Sequence, residues 1–378
     1  MKIAVNTRLL LKNKLEGIGW FTFETLKRIT QQHPEHEFIF IFDRPYSDEF
    51  IFSDNITPVV IGPQARHPFL FYLWFEFSVT KILKKYNVDI FLSPDGYISL
   101  RTKVPTINVI HDINFEHYPQ YLPFMMRKYY RYYFPRFARK AKRVATVSEY
   151  SKQDIAKQYG IDTNKIDVTY NGANESFKPV DENIKIATKK QYSSSFPYFL
   201  FVGSLHPRKN IENLFKAFDL FKQKTDNDFK LLIVGEKYWW NGKMQNTYNN
   251  LKFKDEIIFT GRMNSDELKN VYASAFALTY VSIFEGFGIP ILEAMYCDVP
   301  VITSNTTSMP EVGGDAVLYA DPFSILSICD AMEKLFFDNE IRIQLIEKGK
   351  ERCNMFNWQK TADKLWNSVE RLIKEVNP

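Results

Sequence analysis

The sequence predicts an α/β protein built as two doubly wound, Rossmann-like halves, each on a parallel sheet. Three observations carry that expectation. Short apolar runs alternate with helix-length amphipathic stretches along the chain, the pattern of βα units. Near residue 197 the pattern restarts with a strand, a glycine loop and a helix, as at the beginning. The 378 residues also exceed what one core of about 100–200 residues comfortably holds.

In the first half, KIAVNTRLL opens as a buried strand, a loop containing Gly17 and Gly19 follows, and WFTFETLKRI continues as a helix. EFIFIFD (37–43), VDIFLSP (88–94), PTINVIHD (105–112) and RVATVSE (143–149) are further apolar runs closing on polar or turn residues. Residues 121–142 between the last two read as a helix. The most apolar run, HPFLFYLWFEFSVTKIL (67–83), is interrupted by Glu76 and falls short of the ~20 residues a spanning helix needs, so it reads as a buried or interfacial helix.

In the second half the strands are PYFLFVG, FKLLIVGE (229–236), EIIFTGRM (256–263), AFALTYVS (275–282) and VPVITSN (299–305). The stretch 175–195 between the halves is polar and turn-rich, as a linker is. An amphipathic helix from about Trp358 to Val376 closes the chain. The expected divisions are a first domain over 1–178, a linker over 179–195 and a second domain over 196–357, with 358–378 packing back on the first. Ligand is expected in a cleft between the halves, at the carboxyl ends of strands.

Composition narrows the class. Hydrophobic residues at 45% and charged residues at 25% are ordinary globular values. A net charge of +5 suits an anionic small ligand or an anionic membrane surface without demanding nucleic acid. Cys297, Cys329 and Cys353 are widely spaced and odd in number, which fits a reducing cytoplasm. MKIAVNTRLLL soon meets Arg8, Lys12 and Lys14 and has no cleavage site, so no signal peptide is expected.

Four stretches could carry chemistry. GSLHPRKN follows a strand and puts Arg208 and Lys209 where a helix is about to begin, a place that favours anions. The pair makes a diphosphate site or a solvated basic turn. EGFGIPILEAM (285–295) follows another strand; Pro290 fits the first position of a helix with Glu293 in its first turn. Gly286 and Gly288 allow a ligand to approach N–H groups of residues 286–289, including Phe287 and Ile289. Carboxylates are poor partners for phosphate, so Glu285 and Glu293 suit sugar hydroxyls. Helix-dipole stabilisation and a solvated loop acid explain each glutamate singly.

VIHDINFEHYP sets His111 and Asp112 at a strand end, either as a proton handler or hydroxyl binder or as structural residues. Asp226 and Asp228 form a literal D-x-D in TDND, read as a turn and not a metal site. YLPFMMRKYYRYYFPRFARKAKR (121–143) mixes aromatics with eight lysines and arginines, which fits a packed helix with snorkelling cations or peripheral contact with an anionic membrane.

Together these stretches resemble the retaining glycosyltransferases of the GT-B fold, family 4, with the E-x7-E signature, and most of all its mannosyltransferase-like members. EGFGIPILEAM matches the signature from Glu285 to Glu293, VPVITSNTTSMPEVGGDAVLYADP its continuation and FVGSLHPRKNIENLFKAF its phosphate-binding strand and helix. ATVSEYSKQDI, VTYNGANESFKP and GIGWFTFETL resemble stretches of its N-terminal domain. The resemblance implies a nucleotide-sugar donor held by the second half and a glycan or lipid-linked acceptor held by the first. Glu285 would then contact the sugar, Glu293 the ribose, Arg208 and Lys209 the diphosphate, and His111 the reaction centre. Gly203 would belong to the phosphate loop, Arg262 would border the base, and Gly17 and Gly19 would form the acceptor or phosphate loop.

The resemblance also implies no cofactor and no metal, with GDP-mannose as the first donor to consider. The expected setting is the cytoplasm, with peripheral contact on the inner membrane face. Ser204 replaces a frequent arginine, Asp298 a usual glycine and Asn174 a common aspartate. Two other readings remain: a nucleotide-sugar 2-epimerase of the same fold, or a non-catalytic nucleotide-binding protein at the membrane surface.

Overall fold

The computed structural model describes residues 1–376; positions 377 and 378 of the expected closing segment lie outside the described residues. The chain forms two compact units, Met1–Gly172 with the chain from Trp358 onward, and Ala173–Asn357.

The first unit holds strands β1 (Lys2–Asn6), β2 (Glu37–Phe42), β3 (Ile56–Val60), β4 (Ile90–Ser93), β5 (Thr106–Val109), β6 (Arg143–Thr146) and β7 (Ile166–Val168), in the order 3-2-1-4-5-6-7. The second holds β8 (Tyr198–Val202), β9 (Lys230–Val234), β10 (Ile257–Gly261), β11 (Ala277–Tyr280), β12 (Val301–Ser304) and β13 (Leu318–Ala320), in the order 10-9-8-11-12-13. Every recorded pairing is parallel. Parallel neighbours need crossovers, and helices supply them. Covered on both faces, the strands become continuous apolar runs such as EFIFIF. Strand order reverses between β1 and β4 and between β8 and β11, where such sheets bind ligands. These are the two Rossmann-like units of a GT-B chain.

Four local readings need correction. Gly17 and Gly19 are not in a loop: the helix Gly17–Gln32 begins at Gly17, so both lie in its first turn. Gly19 allows close packing there, since a Cβ would come 3.2 Å from the Leu9 carbonyl oxygen. The stretch 179–195 is not an irregular linker; it contains the helix Glu182–Ser193, capped by the Asp181 side chain. The run 67–83 is not one regular helix but passes from Pro68–Leu73 through a π-helical stretch, Trp74–Val79, into Thr80–Lys85. Its interrupting acid, Glu76, is buried and accepts bonds from Ser99 Oγ, Leu100 N and Arg101 N at 2.9–3.0 Å. In the helix Ile289–Tyr296, Pro290 is the second residue and Glu293 lies beyond the first turn.

Asp298, standing for the usual glycine, adopts the left-handed conformation at φ 57°. The helix Phe124–Lys140 runs through Pro135 and buries Tyr129, Phe134 and Phe137. The closing helix Trp358–Val376 packs on the helix Gly17–Gln32 and on β6 and β7. Trp366 stacks on His33 at 3.7 Å, and Glu375 pairs with Arg143 at 2.9 Å.

Candidate active site

The second unit brings Arg208, Lys209 and Glu285 together at the carboxyl ends of β8 and β11. Gly203 ends β8 at φ +145° and Gly235 ends β9 at φ +147°; a Cβ on Gly235 would fall 2.0 Å from the Gly203 carbonyl oxygen. Glycine is therefore required where these two strand ends meet. The chain then makes a single 3-10 turn, Pro207–Lys209, capped by His206, whose Nδ1 accepts from Arg208 N at 3.2 Å. That bond leaves the His206 proton on Nε2. Burial, aided by Arg208 and Lys209, lowers the His206 pKa to about 4, so near neutrality the positive charge rests on Arg208 and Lys209. Asn210 fastens the turn to the segments after β11 and β13, donating to Val281 O at 3.0 Å and Pro322 O at 2.6 Å.

Both cations converge on Glu285. Arg208 Nη1 lies 2.6 Å from its Oε2 and Lys209 Nζ 2.6 Å from its Oε1. Tyr280 Oη donates to Oε1 at 3.0 Å and accepts from Lys209 Nζ. Burial alone would push the Glu285 carboxyl up, but Arg208 and Lys209 hold it at about 2. Ser308 pins the following loop by donating to Glu285 O and Phe287 O at 2.9 and 3.1 Å. Gly286, Phe287 and Gly288 are buried, and Gly288 caps the next helix at φ +101°. Ile289 is that helix's first residue. Glu293 accepts from Tyr272 Oη at 2.7 Å, and burial raises its carboxyl to about 7. Arg262 is exposed after β10, two strands from β8.

The first unit has its own cluster at the matching reversal point. His111, after β5, donates Nε2–H to Pro94 O at 2.8 Å and meets the Phe21 ring edge-on at 4.9 Å. Burial lowers its pKa, so the ring is neutral near pH 7. The neighbouring Asp95 is fixed by Arg8 Nε at 2.5 Å and Asn6 Nδ2 at 2.8 Å. Asp112 accepts from Asn114 N and Nδ2, which makes it a turn residue.

Asp226 and Asp228 are exposed in the turn between a helix and β9. Among the described residues, Cys329, Asp330 and Glu333 form the only group spaced to hold a metal ion. Lys224 already pairs with both of its carboxylates, at 3.4 and 3.0 Å.

The motif-based reading singled out Arg208, Lys209, Glu285 and Glu293 but passed over Tyr280, Tyr272, His206, Asn210 and Ser308. A tyrosine closing an apolar strand looks like core, and only its place five residues before Glu285 hinted otherwise. Tyr272 lies on a helix outside every motif and gave no signal.

The family model described as "Glycosyl transferases group 1" matches residues 152–352, more than half of the chain, and "Glycosyltransferase Family 4" matches 16–177. The chain belongs to the glycosyl transferases group 1 family. This glycosyltransferase is 27% identical to O-antigen chain mannosyltransferase B of Escherichia coli, over 98% of this chain and 100% of the relative. It is 32% identical to O-antigen chain mannosyltransferase RfbU of Salmonella typhimurium, over 71% of each chain. Among solved structures, the glycosyltransferase resembles Anabaena HepE in complex with UDP and glucose, with a TM-score of 0.77 and 14% identity over 98% of this chain and 100% of that one.

Proposed function

We propose that this enzyme is a retaining transferase that moves mannose from GDP-mannose to a glycan or lipid-linked acceptor during surface polysaccharide assembly. The observation that carries the proposal is the convergence of Arg208 and Lys209 on Glu285 at the β8–β11 reversal point. The names of the relatives, mannosyltransferases of O-antigen chains, support the choice of sugar and process.

The chemistry follows from charge. Departure of a nucleoside diphosphate leaves negative charge on the departing oxygen, and preorganised cations and N–H groups stabilise it. Arg208 and Lys209 supply the cations, Gly203 a close approach, and Gly286–Ile289 the N–H groups. Glu285 accepts from the sugar hydroxyls, Glu293 from the ribose, His111 stands at the reacting sugar, and Arg262 borders the base. Gly17 and Gly19 open the helix on the acceptor side. Two fixed cations do the work a divalent ion does in other transferases, so turnover should persist in EDTA.

We place the enzyme in the cytoplasm, resting on the membrane through 121–143. The helix Phe124–Lys140 carries six lysines and arginines and no acid. It exposes Phe124, Met125 and Tyr132. Among the described residues no helix is long and apolar enough to cross a membrane. Sedimentation with liposomes containing anionic lipid checks this part, and failure to pellet would remove it. The donor is tested by thermal shift with GDP-, UDP- and ADP-sugars, since a ligand of the folded state raises its stability. A shift with a UDP-sugar and none with GDP-mannose would replace the donor.

A further inference from the structure

We propose that Tyr280 is a positioning residue that keeps the Glu285 carboxylate aimed when Arg208 and Lys209 turn to a diphosphate, an inference that rests on the donor site proposed above. Tyr280 ends β11 and is 1% exposed. Its ring stacks near-parallel on Phe201 at 6.2 Å, and Lys209 Nζ meets it at the hydroxyl end, 4.7 Å from the ring centroid. The phenol therefore has little freedom to move.

The direction of its hydrogen bonds is forced. An ammonium only donates and a carboxylate only accepts, so Lys209 donates to the Tyr280 oxygen and the phenol proton points at Glu285 Oε1. Glu285 thus has three side-chain donors of two kinds. Arg208 and Lys209 are charged, and a diphosphate would draw both away. The neutral phenol feels no such pull, and burial keeps it protonated. Once the cations turn, Tyr280 still holds Oε1, while Oε2, which Arg208 occupies at 2.6 Å, is released for a sugar hydroxyl. Tyr280 also competes with the ligand for Lys209, so losing its hydroxyl should not weaken diphosphate binding.

Tyr280→Phe keeps the ring and removes only the hydroxyl. Calorimetric titration with pyrophosphate, GDP and UDP should give Kd values within about twofold of wild type, while kcat for nucleotide release falls about tenfold or more. The melting temperature reports that the fold is kept. In a Glu285→Gln background, removing the hydroxyl should cost little more, because it acts through that carboxylate. Kd and kcat worsening together, an unchanged kcat, or independent losses in the double variant would overturn the assignment. If wild type binds none of the three probes, the donor site itself fails and the inference with it. If wild type binds and turns over but Tyr280→Phe matches it, the inference alone fails.

Discussion

Arg208 and Glu285 stand 77 positions apart and meet in a 2.6 Å ion pair that ties the loop after β8 to the loop after β11. Neither loop is electrostatically complete alone. One supplies two cations, the other the single carboxylate that holds them.

Glu285→Ala should therefore destabilise the second unit and change how it binds anions. Breaking a buried pair by removing one partner costs about 3–5 kcal/mol, and the lower end applies because Arg208 is 21% exposed. Scanning fluorimetry should show a melting temperature several degrees below wild type, recovered more by added nucleoside diphosphate than wild type is. An unchanged melting point would mean that Glu285 does not hold the cations.

The two signature acids should give opposite pH signatures. Glu285 is held below its ordinary 4.5, so its stabilisation is present above that value and is lost as pH falls toward about 2. Glu293 is raised to about 7, so its protonated form favours the fold at low pH and that advantage fades as pH rises from 4.5 through 7. Glu293→Gln should raise the melting temperature at pH 8 and leave it unchanged at pH 4. Equal shifts at both pH values would contradict the assignment.

Glu76→Ala should behave as a core lesion although the residue is acidic. It removes an acceptor shared by Ser99 Oγ and the Leu100 and Arg101 N–H groups; Arg101 N keeps Ser99 Oγ at 3.1 Å and Ser99 Oγ keeps Thr80 at 3.0 Å, so Leu100 N–H takes most of the loss. Each unsatisfied buried donor costs about 1–3 kcal/mol where water cannot reach it. Urea unfolding should show a loss of about 1–3 kcal/mol, more than for an exposed acid such as Glu182.

Gly235→Ala should impair folding and not catalysis alone. The new Cβ would fall 2.0 Å from a backbone oxygen at a φ that side chains avoid. Soluble yield should drop sharply, whereas Gly242→Ala, with open space around it, should express normally.

The sheet architecture was legible because parallel strands buried on both faces leave uninterrupted apolar runs, and those runs reappear as β1, β2, β4–β6 and β8–β12. The charged half of the candidate site was legible for a related reason: Arg208, Lys209 and Glu285 lie in the loops after β8 and β11, and Glu293 on the helix that follows, so the sequence places them beside strand ends. Helix starts were less so, since Gly17 and Gly19 look like loop residues until the packing against Leu9 is known. The helix Glu182–Ser193 stayed hidden because its stretch is mostly polar, buries little and depends on the Asp181 cap. Tyr280 and Tyr272 owe their roles to neighbours in space that no sequence window contains.

The helix Trp358–Val376 belongs to the first unit, whereas residues 173–357 form the second. In chain order, then, the second unit is an insertion into the first. The two are unequal candidates for dissection. A fragment over 173–357 keeps every residue of its sheet, with both cuts falling between units. One ending at Gly172 loses the helix that buries Leu365, Trp366 and Val369 against its own first helix and last strands. Producing the first unit alone would require grafting that helix back after residue 172 through a short artificial connection.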